Sequence, residues 1–559
     1  MAVAVLGVAM FMSEARAAEF LPLGDLPGGA FTSEATDVSL FGTDIVGYSV
    51  SQRPGSSTPK TEAFVWQPST AMLGLGYAEG GAPTWANEIS GIIVGGSGSP
   101  QSNACMWAPK PGTFDEWVHV PFPVPGSTAS DALGVSRDGE YVVGWGDVPG
   151  ATWGFAWRYN YLLYRFNPQE AGGTDAYWLG LPSGASDARA YDIDRYPKDD
   201  PGWVSTAVGT SDGMPCRWIR EGSGMYEADV LATPPGATGG GLQRITLDGR
   251  TMVGWATFPE ATGEIDRAVR YEKITSTLTN MEVLNWEGAS HALDVTPDGR
   301  TIVGTVTWPG WHPEAFIWDP DHGLRTFQTV LEYQYGLDLS GWTLQRATGI
   351  SGDGLVIVGS GINPDGNTEA WRVVLDSSAD LSIEEPPVGG AILDESLTLP
   401  VSGLGIDLST NVTTSGVLSV AQARRDDLSD AALDEWREAY AAGFYPQMWS
   451  VDMTAEHGPV TLVFHYNPAG LVGLDEGLLC LYHWDEDGME WIPEESIIEF
   501  DHHTITTTVE DLSVFSLGLV PEPATLALLA LGGVGVLVRR RGKGEGTRAS
   551  SSPRRREKS

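Results

Sequence analysis

The sequence predicts an all-β protein, and three observations carry that expectation. Glycine and proline make up 70 and 36 of 559 residues, which implies many turns and short elements. A segment ending in two apolar residues and a glycine recurs seven times, at Gly47, Gly95, Gly144, Gly209, Gly254, Gly304 and Gly359. Asp-Gly pairs at 138–139, 248–249, 298–299 and 353–354 lie between β-branched runs, a tight-hairpin signal because glycine accepts positive φ without steric penalty. The repeat intervals of 48, 49, 65, 45, 50 and 55 residues match one four-stranded blade each, and seven units suit a closed ring better than an open solenoid. The expected fold is a seven-bladed β-propeller over 19–376, a linker at 377–390, and a small β-sandwich-like domain with one helix at 391–519. A C-terminal transmembrane helix within 520–541 and a basic, disordered tail at 542–559 complete the chain.

Most repeats open on an Ala-x-x-apolar-Ser/Thr segment, as at Ala35–Ser39, Ala132–Ser136, Ala292–Thr296 and Ala347–Ser351. The third strand reads Glu62–Trp66, Gly154–Trp157 and Glu314–Trp318, and a fourth piece carries Leu-Gly, as at Leu73–Gly76 and Leu179–Leu181. Such a blade buries little alone, so stacking between blades must supply the core. Tryptophans at the repeat-equivalent positions 66, 107, 157, 218 and 318 therefore read as core. Cys105 and Cys216 occupy the positions held by Phe64, Phe155 and Phe316 in other repeats, and are expected to be buried, unpaired thiols. A WD-type propeller fits poorly, because Trp318-Asp319 is the only such dipeptide in the repeats. The third-strand Glu-Ala-Phe resembles the His-Ala-Phe of extracellular HAF repeats over about residues 20–375, which implies an extracellular repeat and little more.

Beyond the repeats, Val460, Leu462, Phe464 and Tyr466 alternate at the strand period, and Leu479–Trp484 and Met489–Ile492 flank an acidic hairpin. The helix is expected at Leu428–Ala442, capped by Ser429 or Asp430 and ended by Gly443.

Both ends read as addresses. Residues 1–18 fit a signal peptide with Ala15 and Ala17 at an A-x-A cleavage site, although no positive region precedes the apolar run. Pro521-Glu522-Pro523, an apolar stretch at Ala524–Val538 and Arg539-Arg540-Arg541 follow in order. Fifteen helical residues rise about 22 Å, short of a hydrocarbon core of about 30 Å, so arginine snorkelling must extend the span. This order resembles the PEP-CTERM sorting signal, here followed by further residues to Ser559. The resemblance implies export, a membrane-embedded exosortase as partner, and cleavage near Pro521–Pro523. By the positive-inside rule the arginines stay cytoplasmic and the rest lies outside, which a plain C-terminal anchor would equally give.

Charge excludes further classes. The chain carries 33 Lys+Arg against 73 Asp+Glu, and residues 539–559 hold nine of the basic ones, leaving the remainder at −47. No nucleic acid is expected to bind such a body. It is also too apolar for a disordered acidic chain, with 21 Trp, 17 Tyr and 16 Phe.

No serine elbow, phosphate loop, dinucleotide fingerprint or His-Glu-x-x-His is present, so no catalytic residue and no metal site is assigned. Of His502 and His503 only one can face His483 from a strand, and Asp485–Gly488 reads as a solvated hairpin tip rather than a calcium loop. Structural calcium is the one cofactor such acidity suits. Loop residues Trp153, Trp308 and Trp311 are the expected ligand platforms. The expected role is an exported structural, adhesive or ligand-binding surface protein contacting polysaccharide or another protein. A secreted polysaccharide hydrolase is the alternative, and convergent carboxylates with raised pKa in the central channel would favour it.

Overall fold

The computed structural model describes residues 18–519 except 99–100, 110–116, 122–123, 137–138, 140, 159–175, 195–203, 222–224, 247–248, 261–262, 274–276, 282–287, 308–311, 321, 376–377, 385, 387–388, 399–404, 423–447, 467–478, 486–489 and 501. Seven four-stranded antiparallel sheets come first, in a β-propeller-like all-β arrangement. Their first strands are Gly28–Val38, Thr84–Ser90, Ala129–Val135, Ala188–Ile193, Gly239–Ile245, Ala289–Val295 and Thr343–Ile350. In the first six sheets the four strands follow in chain order. The seventh takes its outermost strand from the other end of the chain, where Ala18–Gly24 pairs antiparallel with Thr368–Leu375. The repeat pattern offered no fourth strand for this sheet, since the missing strand precedes the first repeat.

The recurrent glycines have one structural reason. Every first strand carries a bulge directly opposite the repeat glycine: Ala35 pairs Gly47, then Asp37 pairs Val46. The same break falls at Ala86/Glu88, Ala132/Gly134, Ala190/Asp192, Leu242/Arg244, Ala292/Asp294 and Ala347/Gly349. A Cβ on any of the seven glycines would lie 1.8–2.1 Å from a carbonyl oxygen of the bulged strand. Opposite these glycines on the third strand stand Phe64, Cys105, Phe155, Cys216, Val269, Phe316 and Trp371. All seven are buried, so the two cysteines do occupy the aromatic position, and both are free thiols. Burial raises both, Cys216 to about 12. Trp66, Trp107, Trp157 and Trp218 are buried, and Trp318 packs half-buried on the sixth-sheet core.

Neighbouring sheets are tied by one repeated hydrogen bond from a third-strand amide to a first-strand hydroxyl. Ala63 donates to Thr84 Oγ1 at 3.0 Å, Ala104 to Ser130 Oγ at 3.0 Å and Ala268 to Ser290 Oγ at 2.9 Å. Ala370 of the seventh sheet donates to Ser33 Oγ of the first at 3.0 Å, repeating the bond across that junction. No sheet closes on itself among the described residues; the seventh and first sheets meet by packing and side-chain bonds.

A helix at Phe327–Gln334, between the sixth and seventh sheets, was not expected. Phe327, Val330 and Leu331 bury one face of it against Trp371 and Leu344, and the i, i+3, i+4 spacing was its only signal. The helix expected at Leu428–Ala442 lies outside the described residues.

A six-stranded and a five-stranded sheet follow, from Ser378–Ile383 to Val514–Leu519. Both contribute to one core, with Trp449, Leu481, Phe515 and Leu517 from one and Ile406, Leu462, Phe464 and Ile505 from the other.

Gly209→Ala is expected to cost about 3 kcal/mol, because rigid backbone rather than a flexible side chain occupies the space. Gly180→Ala, whose nearest atom would be 3.6 Å away, should stay within about 0.5 kcal/mol. Urea unfolding of the two variants measures the difference.

Candidate functional site

The bulges decide what faces the centre of the seven sheets. An extra residue reverses the inward–outward alternation, so the residue after each bulge points where its predecessor would have pointed away. Those residues are Asp37, Glu88, Gly134, Asp192, Arg244, Asp294 and Gly349. All except the two glycines line a central cavity of about 70 Å³. The following residues, Val38, Ile89, Val135, Ile193, Ile245, Val295 and Ile350, also line it, so every sheet reaches this one space.

Four carboxylates thus surround one guanidinium. Arg244 Nη1 lies 3.0 Å from Glu88 Oε2, Nη2 lies 3.8 Å from Asp37 Oδ1, and Nε lies 3.6 Å from Asp294 Oδ1. Three of the carboxylates also clamp the next sheet. Asp37 accepts from the Ile89 amide at 3.0 Å, Asp192 from Ile245 at 2.9 Å and Asp294 from Ile350 at 2.8 Å. Burial pushes Asp37 up to about 7 against the pull of Arg244, with Asp294 adding to the rise. Asp192 is raised to about 6 and Glu88 well above the carboxylate range, again chiefly by burial. Convergent, raised carboxylates are therefore present, as a hydrolase would need. Their oxygens are engaged by Arg244 and by backbone amides, however, which makes the centre a lock between sheets.

Toward the other end of the first strands the lining changes. The residues preceding the bulge pairs, with their cross-strand partners, are Glu34/Tyr48, Trp85/Gly96, Asp131/Trp145, Arg189/Thr210, Gly241/Trp255, His291/Thr305 and Arg346/Ser360. Contacts link these positions from sheet to sheet. Asp131 accepts from Trp85 Nε1 at 3.0 Å and Asn87 Nδ2 at 3.2 Å, and burial raises its carboxyl to about 7. Arg189 stands over the Trp145 ring at 5.0 Å. Tyr191 and His291 flank Trp255 at 6.2 and 5.3 Å between ring centroids. We call this tier the mouth.

Sequence reasoning missed both tiers. Its signal was a column of the repeats, the third residue of Ala-x-x-apolar, which reads Asp, Glu, Gly, Asp, Arg, Asp and Gly. The fifth copy has Leu242 for alanine, which hid Arg244.

Of the expected platforms, Trp153 is not in a loop. It sits in the strand Ala151–Arg158, half-buried edge-on to Trp178 at 5.7 Å. Its Nε1 is buried without a partner among the described residues. Trp308 and Trp311 lie outside the described residues, as do Ala15, Ala17, Pro521–Pro523, Arg539–Arg541 and Glu486–Gly488. His483 belongs to a strand of the six-stranded sheet and pairs with Glu494. His502 and His503 sit beyond Glu499, in the turn before Thr504–Val509 of the five-stranded sheet. No group of three metal-ligating side chains occurs among the described residues.

Residues 519–541 match the PEP-CTERM protein-sorting motif. That signal implies an exported protein, processed by exosortase at the membrane and placed in the cell envelope or at the surface. No helix among the described residues is long and apolar enough to cross a membrane, and Ala524–Val538 lies outside them. No curated protein matches the chain. Similar solved structures include TolB from Acinetobacter baumannii, at 14% identity and TM-score 0.30, with 51% of this chain and 63% of that one covered. The β-propeller domain of the Trilobed protease from Pyrococcus furiosus is 9% identical at TM-score 0.38, over 61% and 93%. Oligogalacturonate lyase from Vibrio parahaemolyticus is 8% identical at TM-score 0.35, over 64% and 97%. The chain thus spans 63% of the TolB structure, and likenesses this distant assign no role.

Arg244→Met should leave buried carboxylates uncompensated and cost about 4 kcal/mol near pH 8. An acid raised on folding binds protons in the folded state, so Asp37 and Asp192 lower stability as pH rises from their ordinary 3.8 to about 7 and about 6. Without Arg244 that penalty grows, so the variant's loss should be clearly smaller at about pH 5, where the carboxyls are protonated. Urea unfolding at both pH values checks the sign.

Proposed function

We propose that this chain is an exported surface scaffold with a structural/adhesive or ligand-binding role. In this reading residues 19–376 are a seven-bladed propeller of HAF-type repeats, closed by the N-terminal strand. Residues 391–519 are a sandwich module, joined by the strand Ser378–Ile383 from the segment expected as a linker, which pairs into its six-stranded sheet, and the apolar helix after Pro523 anchors the chain until exosortase cuts. The contrast between the two tiers supports it most. The inner charges are taken up by Arg244 and by amides of the next sheet, whereas the mouth groups Trp255, Tyr191 and Arg189 line an open groove of about 520 Å³. A rigid ring with its chemistry at the rim suits binding rather than turnover. The −47 body would repel anionic polymers unless divalent cations such as calcium bridge them, so salt and calcium should modulate adhesion.

Hydrolysis is the second reading, and Asp131 favours it: a carboxyl at about 7 beside the mouth has the protonation state of a general acid. The full mature chain should co-sediment with extracellular polysaccharide from the producing cells and release no new reducing ends. Release that Asp131→Asn abolishes would replace the scaffold by the hydrolase.

Mass spectrometry of the mature chain should place the C-terminus near Pro521–Pro523. Peptides from Gly542–Ser559 on the surface form would contradict proteolytic sorting.

A further inference from the structure

We infer that the groove between the fourth and fifth sheets is a subsite for neutral pyranose oligosaccharides, which deepens and rests on the scaffold reading. Its lining includes Asp187, Arg189, Tyr191, Thr210, Asp212 and Trp255, and its volume of about 520 Å³ lies in the range of small-molecule sites.

The platform is Trp255. Its cross-strand partner is Gly241, and a Cβ there would lie 2.5 Å from the indole and equally close to the Thr210 methyl. The six-membered ring of the indole therefore occupies the space a side chain at position 241 would need, and Tyr191 and His291 hold its flanks. Trp85 repeats the device over Gly96, where a Cβ would lie 2.4 Å from the indole. Indoles fixed this way are pre-formed apolar surfaces and lose little freedom on binding. A sugar ring offers such a surface one face of C–H groups and surrounds it with hydroxyls. Among the described residues the Trp255 Nε1 and the Tyr191 hydroxyl have no hydrogen-bond partner, so both can serve a hydroxyl.

Charge selects the ligand class. Asp187 and Asp212 bring two acceptors, and Asp212 is oriented by the amides of Ser186 and Asp187 at 3.1 and 2.8 Å. Arg189 is tethered to Asp187 at 3.4 Å and held over Trp145 at 5.0 Å. An anionic sugar would meet two carboxylates, and a quaternary ammonium would meet the guanidinium. A hydroxyl-rich neutral ligand meets donors and acceptors of both kinds.

The test is calorimetric or fluorescence titration of the full mature chain with cellohexaose, maltohexaose and mannohexaose, alongside trigalacturonate and choline. At least one neutral hexasaccharide should bind saturably, and Trp255→Ala should weaken it about tenfold or more. Tyr191→Phe removes one hydroxyl without a packing change and should weaken the same ligand several-fold at unchanged melting temperature. Tight binding of trigalacturonate or choline instead would overturn the ligand class. Hexasaccharide binding that both variants retain would overturn the groove and leave the scaffold standing. A folded protein that binds no hexasaccharide yet still co-sediments with cell polysaccharide would also refute the groove alone; loss of both kinds of binding would refute the scaffold as well.

Discussion

The bulge opposite a glycine, repeated in all seven sheets, is the constraint on which the rest of the repeat region depends. A bulge bends its strand and sharpens the local twist, and here it does so in each of the seven first strands that line the central cavity. The bend brings a carbonyl of the bulged strand within 1.8–2.1 Å of where a Cβ would stand, so glycine is required for space rather than for an unusual φ. The absent side chain also leaves room for a large group from the third strand, and Phe64, Phe155, Phe316 and Trp371 use it. One local deviation thus sets strand curvature, core filling and the direction of the residue that follows.

That direction places four acidic side chains and one arginine in a cavity of about 70 Å³. Buried ion clusters seldom stabilise more than apolar packing of the same shape would, and the raised carboxyls indicate incomplete compensation. The cluster instead offers selectivity of arrangement. Each aspartate seats on the amide of the following sheet, and Arg244 contacts residues from the first, second and sixth sheets at once. A register slip in one sheet would bury an unpaired charge, so the centre penalises wrong assemblies more strongly than it rewards the right one.

The exported setting implied by the sorting motif bears on the thiols and the surface charge. Cys105 and Cys216 are buried and raised, so oxidants meet neither an exposed nor an ionised sulfur. The negative body, at −47 outside residues 539–559, makes like chains repel one another.

Sequence alone determined the repeat, its seven glycines, the Asp-Gly hairpins and the equivalence of the two cysteines with phenylalanines, because these depend on spacing along the chain. Gly139, Gly249, Gly299 and Gly354 indeed adopt left-handed φ of 66–75°, as local turn chemistry requires. The helix at Phe327–Gln334 and the borrowed strand Ala18–Gly24 were decided by tertiary structure. One is short and stabilised by packing, and the other lies about 350 residues from its partner. Most of all, tertiary structure chose the candidate site. Trp85, Trp145 and Trp255 belong to different repeats, and each meets its partners only across neighbouring sheets: Trp85 with Asp131, Trp145 with Arg189, and Trp255 with Tyr191 and His291. Periodicity along a chain reports which residues are equivalent, but which equivalent residues meet depends on how the sheets pack around the cavity they share.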